Sequence, residues 1–149
     1  MSRGYFGIGV YHPKTEENIG TLWRHANNFG ADFIFTIGRR YQKQASDTSA
    51  TYKHIPLYHY QDYYDFKEHL PYGCQVVGVE LMAGSVSLPE FEHPERCIYL
   101  LGAEDHGLPV VLLNEVQHVV EIPTMRPQSM NVAVSGTLIM YDRFIKGRG

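Results

Sequence analysis

Short, continuously apolar runs alternate along this chain with stretches in which apolar residues recur every three or four positions. Tyr5 to Tyr11 (YFGIGVY) is short and apolar throughout, which predicts a strand. In Glu16 to Phe29 the residues Ile19, Leu22, Trp23, Ala26 and Phe29 recur at helical spacing, with Thr15 placed to cap the start and Gly30 to stop the end. Phe33 to Ile37 (FIFTI) predicts a buried strand, and the polar stretch from Gly38 to Lys53 a loop. Ile55 to Tyr58 is a weaker strand, followed by a short helix over Asp62 to Leu70 that ends before Pro71.

The second half keeps the rhythm. Gln75 to Val79 (QVVGV) predicts a strand, and Ala83 to Glu95, broken by Pro89 and Pro94, a loop. Cys97 to Leu101 (CIYLL) is a strand, Pro109 to Asn114 a helix opened by its proline, and His118 to Ile122 a further strand. Asn131 to Ile145 closes the pattern as a helix, with Val134, Leu138, Tyr141 and Ile145 on one stripe and Val132 and Ile139 on another. Strands that are apolar on both faces and alternate with helices imply an α/β fold, a parallel sheet with helices on both faces. Such sheets take ligands beyond the carboxyl ends of their strands, here Tyr11, Ile37, Val79, Leu101 and Ile122.

Composition adjusts this picture only modestly. A chain of 149 residues, 44% hydrophobic and 19% charged, is expected to form one globular domain over residues 1–149. It has no apolar run of the roughly 20 residues a membrane helix needs and no signal-peptide pattern. Cys74 and Cys97 lack metal or redox spacing and read as buried thiols, so a cytoplasmic location is expected. A net charge of −3 argues mildly against nucleic acid. Two local clusters of positive charge run the other way: Arg39, Arg40 and Lys43, and Arg143, Lys146 and Arg148.

Candidate chemistry gathers at three strand ends, and each segment also has an ordinary explanation. Asn18 and Arg24 lie on the first helix, where Arg24 could simply be solvated. Gly102 to Pro109 (GAEDHGLP) could be a strand-to-helix turn with capping acids. Pro123 to Gly136 carries Ser129 and Asn131 to the last helix, where Asn131 could be only the N-cap. Gly7 and Gly9 lie inside a strand rather than after one, which sets them apart from a dinucleotide fingerprint. The histidines form no ligand pair on a helix, so no metal is expected. The tyrosines and histidines from Tyr52 to Tyr64 could stack on bases or form a half-buried aromatic face.

Taken in order, the three segments resemble the motifs of the SpoU (TrmH-type) branch of the SPOUT RNA methyltransferases. The first motif is Asn18, Gly20 and Arg24; the second is Gly102, Glu104 and Gly107; the third is Ile122, Pro123, Ser129, Met130, Asn131 and Val132. Thr124 between Pro123 and Met125, and Gly136 within the last helix, depart from the pattern. The resemblance implies a C-terminal deep trefoil knot within about residues 75–149, a feature that no pattern of elements predicts. It also implies a homodimer that transfers the methyl group of S-adenosylmethionine to a ribose 2′-hydroxyl of tRNA or rRNA, without metal or membrane. In length the chain is similar to compact members that act on the tRNA wobble ribose. Ala45 to Tyr52 stands where that group carries an arginine-rich segment.

The residue roles follow from the same resemblance. Arg24, Glu104 and Asn131 are expected to be catalytic, and Asn18, Arg24, Arg39 and Arg40 to face RNA. Val79, Glu80, Leu101, Gly102, Ile122, Ser129, Met130 and Asn131 are expected to hold the cofactor, the strand-end positions through their backbone. A guanidinium keeps its proton above about pH 12, which favours Arg24 as a binder of phosphate and developing alkoxide over Arg24 as a base, though both remain open. Glu104 is expected to orient Arg24 or the third-motif loop. Two rivals stand beside this reading: a non-catalytic knotted protein that binds RNA or cofactor, and an unknotted doubly wound nucleotide enzyme. The second would want a glycine-rich phosphate loop where the chain has His12, Pro13 and Lys14.

Overall fold

A computed structural model gives the architecture and describes residues 4–42, 54–103 and 107–147. The elements run β1 (Tyr5–Tyr11), α1 (Glu16–Phe29), β2 (Phe33–Ile37), β3 (Leu57–Tyr60), α2 (Tyr63–Glu68), β4 (Gln75–Val79) and β5 (Val86–Ser87). They continue with β6 (Arg96–Gly102), α3 (Val110–Glu115), β7 (His118–Glu121) and α4 (Val132–Gly147). The sheet is seven-stranded in the order β3-β2-β1-β6-β4-β7-β5, and every pairing is parallel. β1 and β6 lie in the middle, registered over their full length from Tyr5↔Arg96 to Tyr11↔Gly102.

Alternation within each strand sorts side chains to two cores. Phe6, Ile8 and Val10 of β1 pack with Tyr99 and Leu101 of β6 under α1 and α4. Phe33, Phe35, Ile98 and Leu100 pack on the opposite face with Phe66 of α2 and Leu112 and Leu113 of α3. Gly7 and Gly9 face this second core. They pair with Phe33 and Phe35, whose rings occupy the volume a side chain would need: a Cβ on Gly9 would sit 2.4 Å from the Phe35 ring. The glycines are therefore packing residues within a strand.

The first helix follows its sequence signals closely. Thr15 accepts a hydrogen bond from the Asn18 N–H at 3.1 Å, and Gly30 ends the helix in the left-handed region at φ 78°. Ile19, Leu22, Trp23 and Ala26 are its buried face, and the Trp23 indole donates to the Ile55 carbonyl at 2.9 Å. β3 begins at Leu57, two residues later than its apolar pattern suggested: Ile55 lies in the core with its carbonyl turned to Trp23, while the Pro56 carbonyl accepts from the Ile34 N–H of β2 at 3.0 Å. β5 was not expected. It is two residues long, too short for periodicity to register, and it forms because Val86 and Ser87 lie beside the edge of β7.

α4 is held at its C-terminal end by a polar relay. Arg143 donates to the Tyr99 hydroxyl at 3.0 Å, His93 Nδ1 lies 2.7 Å from that hydroxyl, and His93 Nε2 lies 2.7 Å from Asp142, which also meets Lys146. In the neutral ring that burial favours, Nε2 donates to the Asp142 carboxylate, which can only accept, and Nδ1 is left to accept from the Tyr99 hydroxyl. Burial, the largest influence, pushes the His93 pKa below its ordinary value against the opposing pull of Asp142. Arg143 and Lys146, read from the sequence as a positive surface cluster, are spent on this anchor and on carbonyls of 88–95. The third member, Arg148, lies outside the described residues. Cys74 and Cys97 are both free thiols, with burial raising the pKa of each.

Candidate functional site

At the carboxyl ends of β4, β6 and β7 lies a cleft of about 490 Å³. Its lining includes Val79, Glu80, Leu101, Gly102, Ile122, Ser129 and Met130, the cofactor-side positions named from the sequence, apart from Asn131. Gly107 of the second motif and Thr124 line it as well, with Leu81, Gln128 and Ser135, which had no sequence signal beyond their neighbours. Parallel topology explains the convergence, because each strand delivers its following loop to the same end of the sheet.

The wall formed by Gly102 and Gly107 is built of backbone. A Cβ on Gly102 would lie 2.4 Å from the Gly107 carbonyl carbon, and Gly107 has a φ of 63°. The turn closes with the Gly107 N–H donating to the Ala103 carbonyl at 2.9 Å. Glu104, expected to be catalytic, lies outside the described residues, together with Asp105 and His106.

Asn131 serves two purposes at once. Its Oδ1 accepts from the N–H groups of Ala133 at 2.9 Å and Val134 at 3.1 Å, which caps α4. Its Nδ2 donates to Asn18 Oδ1 at 2.9 Å. Residues from the first and third motifs, 113 positions apart, are thus joined side chain to side chain. Asn18 is half-buried in this contact, and Arg24 is exposed farther along α1.

Basic residues sit at the same end of the sheet. Arg39 pairs with Glu16 at 2.9 Å and also donates to the Lys14 carbonyl, while Glu16 accepts from the Gln42 N–H at 2.7 Å. Arg39 therefore fastens the loop after β2 to the start of α1 and keeps a side chain 47% exposed. Arg40 is exposed beside it; Lys43 and Ala45 to Tyr52 lie outside the described residues. His12, just past β1, has a φ of 53° and rests its ring on Gly38, where a Cβ would come within 2.7 Å. Among the described residues it alone carries a positive φ without being glycine. Of the aromatic stretch, Tyr58 and Tyr64 are exposed, whereas Tyr60 and Tyr63 pack on Phe66.

A larger cavity of about 950 Å³ opens at the amino ends of the strands between Phe6, Phe29, Phe91 and Phe144. None of the motif residues lines it. Among the described residues no group of three His, Cys, Asp or Glu side chains could hold a metal ion, and no helix is long and apolar enough to cross a membrane.

Comparison with known proteins places this geometry. Over 71 residues the chain is 39% identical to the mouse (Mus musculus) tRNA (guanosine(18)-2′-O)-methyltransferase TARBP1, a match spanning 47% of this chain and 4% of that protein. A solved structure described as bearing on the 2-OH methylation of C/U34 on tRNA superposes with a TM-score of 0.82 at 26% identity, covering 99% of this chain and 100% of the other. The SpoU methyltransferase AviRb of Streptomyces viridochromogenes, in complex with AdoMet, shares the fold with a TM-score of 0.83 at 20% identity, over 100% of this chain and 60% of that one. The family model for the SpoU rRNA Methylase family matches residues 6–141, nearly the whole parallel sheet and its helices, and this chain belongs to that family.

Proposed function

We propose that this chain is an RNA 2′-O-methyltransferase that moves the methyl group of S-adenosylmethionine to a ribose 2′-hydroxyl of tRNA or rRNA. One observation carries the reading: the strand-end cleft and the Asn18–Asn131 bond bring residues of all three motifs to one end of the sheet. The cleft fits the cofactor. Its volume lies within the usual range of small-molecule sites, with apolar Val79, Leu101 and Ile122 for an adenine and Gln128 and Ser129 for polar ends. When bound, S-adenosylmethionine supplies an electrophilic methyl on a sulfonium, which the ribose oxygen takes as the carbon–sulfur bond breaks.

The protein's work is positioning and charge stabilisation. Arg24 offers a planar fork to the phosphate beside the target ribose and to the oxygen as it loses its proton. Asn131 holds the third-motif loop through its cap and, through Asn18, ties it to the helix that carries Arg24. Glu104 orients Arg24 or this loop. Arg39 and Arg40 extend the contact to the RNA backbone.

The same reading covers the whole molecule. Residues 1–149 form one domain, with the trefoil knot within about 75–149. Two copies pair through α1 and α4, because Val134, Leu138, Tyr141 and Ile145 leave an apolar stripe 38–52% exposed on α4. The two free thiols suit a cytoplasmic location.

The test compares wild type with Arg24→Lys, which keeps the charge and loses the fork. Single-turnover methylation of an RNA substrate is expected to fall about 100-fold or more, as for loss of one oxyanion donor. S-Adenosylmethionine affinity by calorimetry is expected to stay near wild type, since Arg24 lies on α1 and not on the cleft lining. Methylation by Arg24→Lys at the wild-type rate rejects the role of Arg24. Wild-type cofactor binding with no transfer to any RNA favours the non-catalytic alternative.

A further inference from the structure

We infer that the Glu80 side chain is a positioning residue that sets the width of the cofactor cleft by clamping Gly107 and Leu108 against the ends of β4 and β7; the inference rests on the cofactor reading above. Glu80 follows β4 directly, and its N–H donates to the Val120 carbonyl of β7 at 3.0 Å. Its carboxylate then reaches across the cleft wall. Oε2 accepts from the Leu108 N–H at 2.8 Å, and Oε1 accepts from the Leu81 N–H at 3.1 Å. Glu80 thus bonds to β7 through its backbone, and through its carboxylate to Leu108 after β6 and to its own neighbour Leu81.

The backbone at Gly107 leaves room for this carboxylate. A Cβ on Gly107 would lie 2.2 Å from Glu80 Oε2, so the side chain occupies the space that glycine leaves. Leu108, whose N–H is held, is 5% exposed and packs into the second core beside Leu112 and Leu113. Without the acceptor, a half-buried N–H loses its partner, and Gly107 and Leu108 keep only the Ala103 bond and the packing of the Leu108 side chain to hold them against the cleft. An ionised acceptor makes this a strong hydrogen bond. In the sequence, Glu80 was assigned only a backbone contact, since a carboxylate at a strand end gives no sign of which N–H it will meet.

Three variants in the full chain test the clamp. Glu80→Ala is expected to raise the dissociation constant for S-adenosylmethionine about 10-fold or more and to raise the KM for the cofactor more than it lowers kcat. Glu80→Gln keeps an oxygen for the Leu108 N–H and is expected to recover most of that loss. Gly107→Ala is expected to lower the thermal midpoint in the wild-type background and to cost less in Glu80→Ala, where the clash with Oε2 is gone. Wild-type affinity in Glu80→Ala overturns the proposal, as does a Glu80→Gln variant as weak as alanine, which would mean that the charge itself meets the cofactor. Additive effects of Gly107→Ala and Glu80→Ala on the midpoint overturn it too. That arm needs no ligand, so it separates failure of the clamp from failure of the methyltransferase reading, which shows instead as absent cofactor binding by the wild type.

Discussion

At the residue scale, side chains in this protein carry double duties that their identities alone do not announce. Asn131 caps α4 through its Oδ1, as its place before the helix suggested, and the same side chain reaches Asn18 through its Nδ2. His93 is the clearest buried example, its side chain 6% exposed between Tyr99 and Asp142. Its pKa is lowered in the folded state from the ordinary 6.5. The unfolded chain therefore binds more protons than the folded one as pH falls below 6.5, and stability drops in that direction until the folded pKa is passed. Thermal midpoints measured from pH 7.5 down to 5 are expected to fall in the wild type. His93→Gln, which can accept from Tyr99 and donate to Asp142 without titrating, is expected to flatten that fall; an unchanged slope would show that His93 is not its source.

At the element scale, the central strand shows how sequence pattern and packing divide the labour. The apolar run predicts β1, but only the register Gly7↔Phe33 and Gly9↔Phe35 explains why two of its residues are glycine. Alanine at Gly9 would gain about 0.5–1 kcal/mol in conformational terms. It would also drive a methyl into the ring of Phe35, which is 1% exposed and stacked on Phe66 at 5.0 Å. Overpacking in a closed core costs about 1–3 kcal/mol, so the clash wins. Gly9→Ala is expected to lower unfolding free energy by about 1–2 kcal/mol net in denaturant titration, from these two terms. A neutral or stabilising result would mean that the Phe35 ring can move aside. The helices are simpler: Thr15, Gly30 and the spacing of Ile19, Leu22, Trp23 and Ala26 announce α1 to the residue.

At the scale of the whole molecule, the exposed stripe on α4 is the feature a lone chain leaves unexplained. Val134, Leu138 and Tyr141 follow one another at helical spacing, and Phe29 of α1 meets the ring of Tyr141 at 6.0 Å, so the apolar surface extends over both helices. Sedimentation at micromolar concentration is expected to give about twice the 17.0 kDa of one chain. Leu138→Glu, a charge placed at a position 38% exposed, is expected to return it to one chain while leaving the fold intact. A wild type that sediments as a monomer and still methylates RNA would remove the dimer from the mechanism.

What the sequence by itself determined is the set of local preferences: strands apolar on both faces, capped amphipathic helices, and hence a parallel α/β sheet. Those signals act over a few residues, so they survive without knowledge of the rest of the chain. The motif residues were visible for the same reason, as polar and glycine positions out of keeping with plain loops. Tertiary structure decided what lies between distant segments. It chose which stripe of α4 is buried, with Ile139 in the core and Leu138 at the surface. It tied Arg143 and Lys146 to carbonyls of 88–95, paired Val86 and Ser87 with β7, and set the Leu108 N–H on the Glu80 carboxylate. Each of these depends on which groups meet across the fold, where hydrogen bonds must be satisfied and volumes filled, and no local pattern encodes that meeting.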